Sequence, residues 1–549
     1  MSKIVEVLSK LNNEELISII PNEVKLYLTD INKYSIYDYV EKNIDYLLED
    51  KAFVLLISKI VKNDAEFSNI SSNISFVNGK TSKEGKKLLL KYFNVKYTSN
   101  KVDTETSSTC LLNKKFYELL DYQYLIKEKV VNFISDNIDN NKHINKLIIH
   151  MPTGTGKTKT SVHTIISLYQ KYNNQGTIVW LAHTEELLNQ ARGAFINAWN
   201  ALGNKEIKII TNDVTKKYEN NAIYFISFQK LISFYKNGFD VYKEFRKNLS
   251  ICICDEAHKC LATETYYALE DLMLSFDVNH PKTLLGLTAT PGRKYKDSLL
   301  EGDNLDLALM FDRHIFSINT NELGIFKNYH NNYTYEEFSY NEIYKKDDEI
   351  IKYFQDRKVL AKIKRFALKY DYSKIDNSIF NKKRSADYSQ SELKMIGENK
   401  YRNDVIIDNL KKLASRGLPT IVFACSNEQG KLLSNVLTLS GIKNNCIFGD
   451  THEALRKKYI EEFDNGEYNI LINNAILTTG FDSPRIKCVF ITRPTNSIVL
   501  YSQMLGRGLR GKKMGGNEEC LLIDVVDNLS KFNDENFAFN YFSVYWRWQ

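Results

Sequence analysis

A chain of 549 residues is too long for one hydrophobic core, so several domains are expected. Its 43% hydrophobic and 26% charged residues are the make-up of folded globular material, not of a disordered or membrane-embedded chain, and a formal net charge of +7 admits a polyanionic partner without requiring one. The eight cysteines form no CxxC pair and no two histidines stand at ligand spacing, which argues against a zinc module and leaves reduced, structural thiols.

Residues 1–105 read as a helical accessory domain, with Ile4, Val7, Leu8 and Leu11 at three-to-four spacing and the same pattern from Ile36 through Ile60. The most apolar stretch, Ala52 to Val61, is interrupted by Ser58 and Lys59 and is too short to span a bilayer; no secretory signal opens the chain. A cytoplasmic protein without membrane contact is the expectation. Glu84-Gly85-Lys86 is an E-x-K fragment of the kind found in some nucleases, but it lies in a Lys-rich helix start, not on a strand.

Residues 106–300 alternate short β-rich runs with helical segments. The runs fall at 147–150, 177–182, 207–211, 223–227, 251–254 and 284–287, a rhythm that predicts a parallel sheet covered on both faces. After the first run comes Met151-Pro152-Thr153-Gly154-Thr155-Gly156-Lys157-Thr158. Glycines at 154 and 156 allow a tight turn whose amides, with the following helix N-terminus, point at phosphates. Lys157 can reach the β and γ oxygens of a nucleotide and Thr158 can hold Mg²⁺. Met151 stands where the general pattern has its first glycine. Farther on, the apolar run Ile251 to Cys254 leads into Asp255-Glu256-Ala257-His258. Asp255 is placed to hold the metal, and Glu256 to orient or deprotonate an attacking water.

Residues 301–410 are polar and tyrosine-rich and read as connector and insertion. Alternation resumes over 411–530, with runs at 420–424, 446–448, 469–472, 489–492 and 520–524, a second α/β unit. The tail, 531–549, carries many aromatics and two of the four tryptophans. Base stacking is one use for them; packing on the second α/β unit is the expected one.

Six runs in order resemble motifs I, Ia, II, III, V and VI of superfamily 2 helicases and translocases. They are Thr153 to Thr158, Leu181 to Leu188, Asp255 to His258, Thr288-Ala289-Thr290-Pro291, Thr478 to Asp482, and Gln503 to Arg510. In detail they look most like the DEAH proteins grouped with restriction-enzyme motor subunits and RadD-type bacterial DNA helicases. The resemblance implies an α/β fold of two tandem RecA-like domains after an N-terminal helical domain, and an ATP hydrolase using ATP and Mg²⁺. Thr153, Gly154, Thr155, Gly156, Lys157 and Thr158 would cradle the phosphates, and Gln123 resembles the upstream glutamine that reads adenine. Gly480 and Asp482 would lie near the ribose. Arg507 and Arg510, with Gln503, would complete the catalytic set from the second domain, since guanidinium forks match phosphate geometry. His258, Thr288 and Thr290 resemble the groups that couple the nucleotide site to the strand-binding face.

For nucleic acid the candidates are Thr184, Ser227, Gln229, Ser426 and Thr478, small polar groups suited to phosphate contacts; any of them could equally be a cap or loop residue. Gly508 and Leu509 depart from the GRAGR ending usual in RNA-processing DEAH helicases, which favours DNA over RNA. The expected activity is a DNA helicase or translocase working with protein partners, plausibly in restriction or anti-phage defence. Two rivals stand beside it, an ATP-gated clamp or partner-activating switch that separates no strands, and an RNA helicase.

Overall fold

The computed structural model describes residues 2–95, 107–109, 118–172, 175–211, 218–237, 240–274, 281–293, 302–318, 350–369, 387–525, 541–542, 545 and 547–548. Helices Lys3–Leu8 through Lys83–Tyr92 fill the N-terminal region, with one hairpin, β1 (Phe76–Val77) and β2 (Lys80–Thr81). Asn12 and Glu15 form a reciprocal capping box at the second helix, and Asp50, Asp64 and Ser82 cap later ones. Lys86, in the E-x-K fragment, is held by Asp45 at 2.8 Å and Glu49 at 2.7 Å, ion pairs between helices.

The first α/β unit is built on β3 (Ser107–Thr109), β4 (Ile144–His150), β5 (Thr177–Ala182), β6 (Lys208–Thr211), β7 (Ala222–Ser227), β8 (Leu249–Asp255), β9 (Lys282–Thr288) and β10 (His314–Phe316). The second uses β11 (Lys362–Leu368), β12 (Thr420–Phe423), β13 (Asn444–Ile447), β14 (Ile470–Asn473), β15 (Cys488–Ile491) and β16 (Glu519–Val525). A last strand, β17 (Arg547–Trp548), returns to the first unit. The sheet orders are β17-β10-β4-β9-β8-β5-β7-β6-β3 and β11-β16-β15-β12-β14-β13. Every pair is parallel except β3 with β6. Strands β5, β8 and β9 are buried along their whole length, as a parallel sheet covered on both faces requires.

All eleven β-rich runs read from the sequence are strands. Both sheets also recruit strands from the tyrosine-rich stretch between the motif-bearing spans. β10 pairs with β4, and β11 runs alongside β16 over its full length.

One expectation is corrected. The aromatic tail packs on the first unit, not the second. Phe542 and Tyr545 are buried, and β17 pairs with β10. Gly292 makes the room. A side-chain carbon there would lie 2.1 Å from the Phe542 ring.

The N-terminal helices pack on the second unit. Ile36, Val40 and Leu47 share a buried cluster with Leu433, Val436 and Leu437 of helix Asn427–Leu439. Lys42 crosses that junction, donating to Ser434 Oγ at 2.6 Å, Thr438 Oγ1 at 3.3 Å, and the Asn444 carbonyl and Oδ1 at 2.8 and 2.9 Å.

Candidate active site between the two sheets

Parallel sheets offer ligand sites at the carboxyl ends of their strands, and here the two such ends face each other. From the first, β4 ends in His150 and the chain turns through Pro152 to Gly156 into helix Lys157–Lys171. Gly154 and Gly156 have φ of +87° and +83°, left-handed values that glycine reaches without steric cost. Met151 is fully buried, and its N–H still bonds to the Thr288 carbonyl at 3.2 Å, so at this position the chain continues the strand. That helix buries Val162, Ile165, Ile166 and Tyr169.

Strand β8 delivers Asp255 and Glu256. Glu256 itself is left-handed, φ +57°, an uncommon conformation for a non-glycine residue that re-aims its side chain at the strand end. From the opposite unit come Gly480 and Asp482 after β14, and Arg507 and Arg510 at the end of helix Ile498–Gly506. The phosphate loop, Asp255, Glu256, Asp482, Arg507 and Arg510 line one cavity of about 320 Å³.

The units meet closely around it. A side-chain carbon at Gly506 would come within 2.9 Å of Thr153, and one at Gly480 within 3.2 Å of Glu186 and 3.3 Å of the Thr184 hydroxyl. His183 Nε2 lies 3.1 Å from Thr479 Oγ1, and Arg456 pairs with Glu186 across the same boundary.

Electrostatics distinguish the two carboxylates. Burial raises Asp255 to about 6, against the pull of Lys157. Burial acts the same way on Glu256, but Lys157, His258, His183 and Arg507 together outweigh it and hold that carboxyl below its ordinary value. Burial lowers Arg507 to about 10, with Glu256 opposing. Glu256 is therefore an ionised acceptor beside Lys157 and Arg507, able to hold and orient a water. The amide-lined loop, Lys157 and the two arginines fit a triphosphate, and the Thr158 hydroxyl with the Asp255 carboxylate are hard oxygen donors suited to Mg²⁺.

Behind Glu256 lies a second cavity of about 460 Å³, lined from the first unit by His183, Thr184, His258, Lys259 and Arg293 and from the other by Thr478, Thr479, Ser497 and Gln503.

The model of the type III restriction enzyme res subunit matches residues 116–293, and that of the helicase conserved C-terminal domain matches residues 402–512. The chain belongs to the superfamily 2 helicases. Among relatives of this superfamily 2 chain, the putative ATP-dependent helicase IRC3 of Saccharomyces cerevisiae is 25% identical over 415 residues, 74% of this chain and 51% of that protein. Putative helicase 22 of Sulfolobus islandicus filamentous virus is 22% identical over 429 residues, 76% and 67%. Among solved structures, a fragment of a putative HsdR subunit of a type I restriction enzyme from Vibrio vulnificus YJ016 is 20% identical, with 76% of this chain and 66% of that chain covered and a TM-score of 0.48. The chain spans about half the length of the yeast relative.

Of the superfamily 2 motif residues, the loop, motif II carboxylates, Gly480, Asp482 and both arginines converge on the first cavity. Asp482 is ion-paired to Arg510. Gln503 lines the second cavity instead. Gln123 is buried at the third position of helix Asp121–Asp139, its amide oxygen accepting from Leu120 N–H and its amide nitrogen donating to the Thr155 carbonyl at 2.9 Å. It pins the phosphate loop from behind.

His258 stands with Nδ1 3.4 Å from Glu256 Oε2, and burial lowers its pKa to about 4, so it is neutral. Thr288 Oγ1 donates to the Thr290 carbonyl and accepts from Thr290 N–H, a closed turn at the end of β9. Thr184 and Ser426 are helix N-caps, Ser227 accepts from Lys230 N–H, and Thr478 donates to the Ala475 carbonyl; Gln229 is exposed. Sequence reasoning passed over His183 and Thr479, whose contact spans the two units; the only signal was their membership of motifs Ia and V.

Proposed function

We propose that this chain hydrolyses ATP between its two α/β units and uses the cycle to move along or unwind nucleic acid, with DNA as its track. One observation carries the reading, namely that the phosphate loop and Glu256 of one unit share a cavity with Arg507 and Arg510 of the other. In the proposed mechanism Lys157 and the loop amides bind the phosphates, and Glu256 takes a proton from the attacking water. Arg507 and Arg510 neutralise charge on the transferred group. Mg²⁺ held by Thr158 and Asp255 would supply further neutralisation of the phosphate oxygens. Loss of the γ-phosphate removes what both units hold in common, so the cleft opens and the units move relative to one another.

DNA is favoured by the restriction-type model over the first unit and by the Gly508-Leu509 departure in motif VI. A place in a restriction or anti-phage system, with protein partners, belongs to the same proposal. The test is ATP turnover at one salt concentration with single-stranded DNA, single-stranded RNA or neither, beside strand-displacement and translocation assays. Stimulation by DNA with movement is expected. Preference for RNA overturns the choice of track, and stimulation without movement or strand separation makes the protein a clamp.

A further inference from the structure

The second cavity has a composition that the nucleotide site does not explain. Among the described residues that line it there is no carboxylate, whereas the first cavity carries Asp255, Glu256 and Asp482. Two helices begin at its wall, capped by Thr184 and Ser497, and helix N-termini present partial positive charge and free amides. Lys259 adds a full charge from an exposed side chain. Arg293, paired with Asp303 at 3.2 Å, brings a second cation to the same wall.

The partition between the cavities is the Glu256–His258 pair. Glu256 lines one side, His258 lines the other, and they touch at 3.4 Å. A phosphoryl group cleaved beside Glu256 has this anion-friendly space directly behind it.

We propose that the second cavity is an oxyanion site that receives orthophosphate, the product of ATP hydrolysis, before it leaves the protein. The site deepens the hydrolase reading and rests on it. Donors from both units line it, so an occupied site holds the units together after cleavage, and its emptying permits them to part. Lys259 and Arg293 are the charges that attract the ion, and the two helix N-termini supply neutral donors.

The test titrates the full chain with orthophosphate, without nucleotide or nucleic acid, by calorimetry, and separately measures affinity for a single-stranded oligonucleotide. Lys259→Glu is expected to weaken orthophosphate binding about ten-fold, as reversal of a charge beside an anion should, and Lys259→Arg to restore it to within about two-fold. Oligonucleotide affinity is expected to stay level in both. If Lys259→Glu instead lowers oligonucleotide affinity and leaves orthophosphate binding intact, the cavity serves the strand and the proposal falls. It falls equally if Lys157→Ala removes all orthophosphate binding while Lys259→Glu changes nothing. Absence of ATP turnover in the wild-type chain would sink the hydrolase reading alone, because Lys259-dependent orthophosphate binding would still establish the oxyanion site.

Discussion

Glu256 is the residue on which the proposed chemistry turns. It is ionised among four cationic or imidazole neighbours and displaced from the strand line by its positive φ. Glu256→Gln keeps the shape and removes the base, so ATP is expected to bind with little change while turnover falls by about 10² to 10⁴; nucleotide retention on filters beside steady-state hydrolysis checks both halves. His150 makes a different prediction. It is fully buried, lies 3.2 Å from the Ala289 carbonyl, and burial drives its pKa down to about 3 from 6.5. Between those values the unfolded chain binds a proton that the folded chain refuses, so stability falls as pH drops below 6.5. At pH 5 the loss from this group is about 2 kcal/mol. Urea unfolding followed by the fluorescence of buried Trp180 and Trp199 should show the wild type losing more stability from pH 7 to pH 5 than His150→Asn does. Equal losses would mean that His150 is not the group responsible.

At the scale of elements, what could be read in advance was local. The phosphate loop, the acidic strand end and the apolar runs of the eleven strands declare themselves within a few residues, because turn glycines and buried strands leave short-range signatures. The edges did not. β11, Lys-Ile-Lys-Arg-Phe-Ala-Leu, is exposed or half-exposed along most of its length, so its composition matches a polar connector. Gly508 in motif VI also sits at a tight packing point invisible in one dimension. A side-chain carbon at Gly508 would strike Cys520 Sγ at 2.4 Å and Val489 at 2.8 Å, and only glycine fits. Lys42 was equally unreadable, since a lysine on an amphipathic helix passes for a solvated charge. It is the polar pin of the junction between the N-terminal helices and the second unit. Lys42→Met should cost about 1–3 kcal/mol by leaving buried acceptors unpaired. Chemical unfolding of the full chain measures it, and a shift under about 0.5 kcal/mol would show that apolar packing alone holds the junction.

Across the whole molecule there are two α/β units, and the chain does not divide them in sequence order. The N-terminal helices share a core with the second unit, so they are expected to travel with it, while the tail returns from the second unit to seal Phe542 against Gly292 and add β17 to the first sheet. Segments at both ends of the described chain therefore cross between the units that the proposed cycle opens and closes. In the proposed cycle the cleft is where those movements become chemistry, and Arg507 is the group that the second unit contributes to its lining. The most direct measurement is ATP binding and single-turnover hydrolysis in Arg507→Ala. Nucleotide should still bind through Lys157 and the loop, within a few-fold of wild type, while the hydrolysis rate falls by about 10³ to 10⁵. Hydrolysis at the wild-type rate would contradict a site shared between the two units.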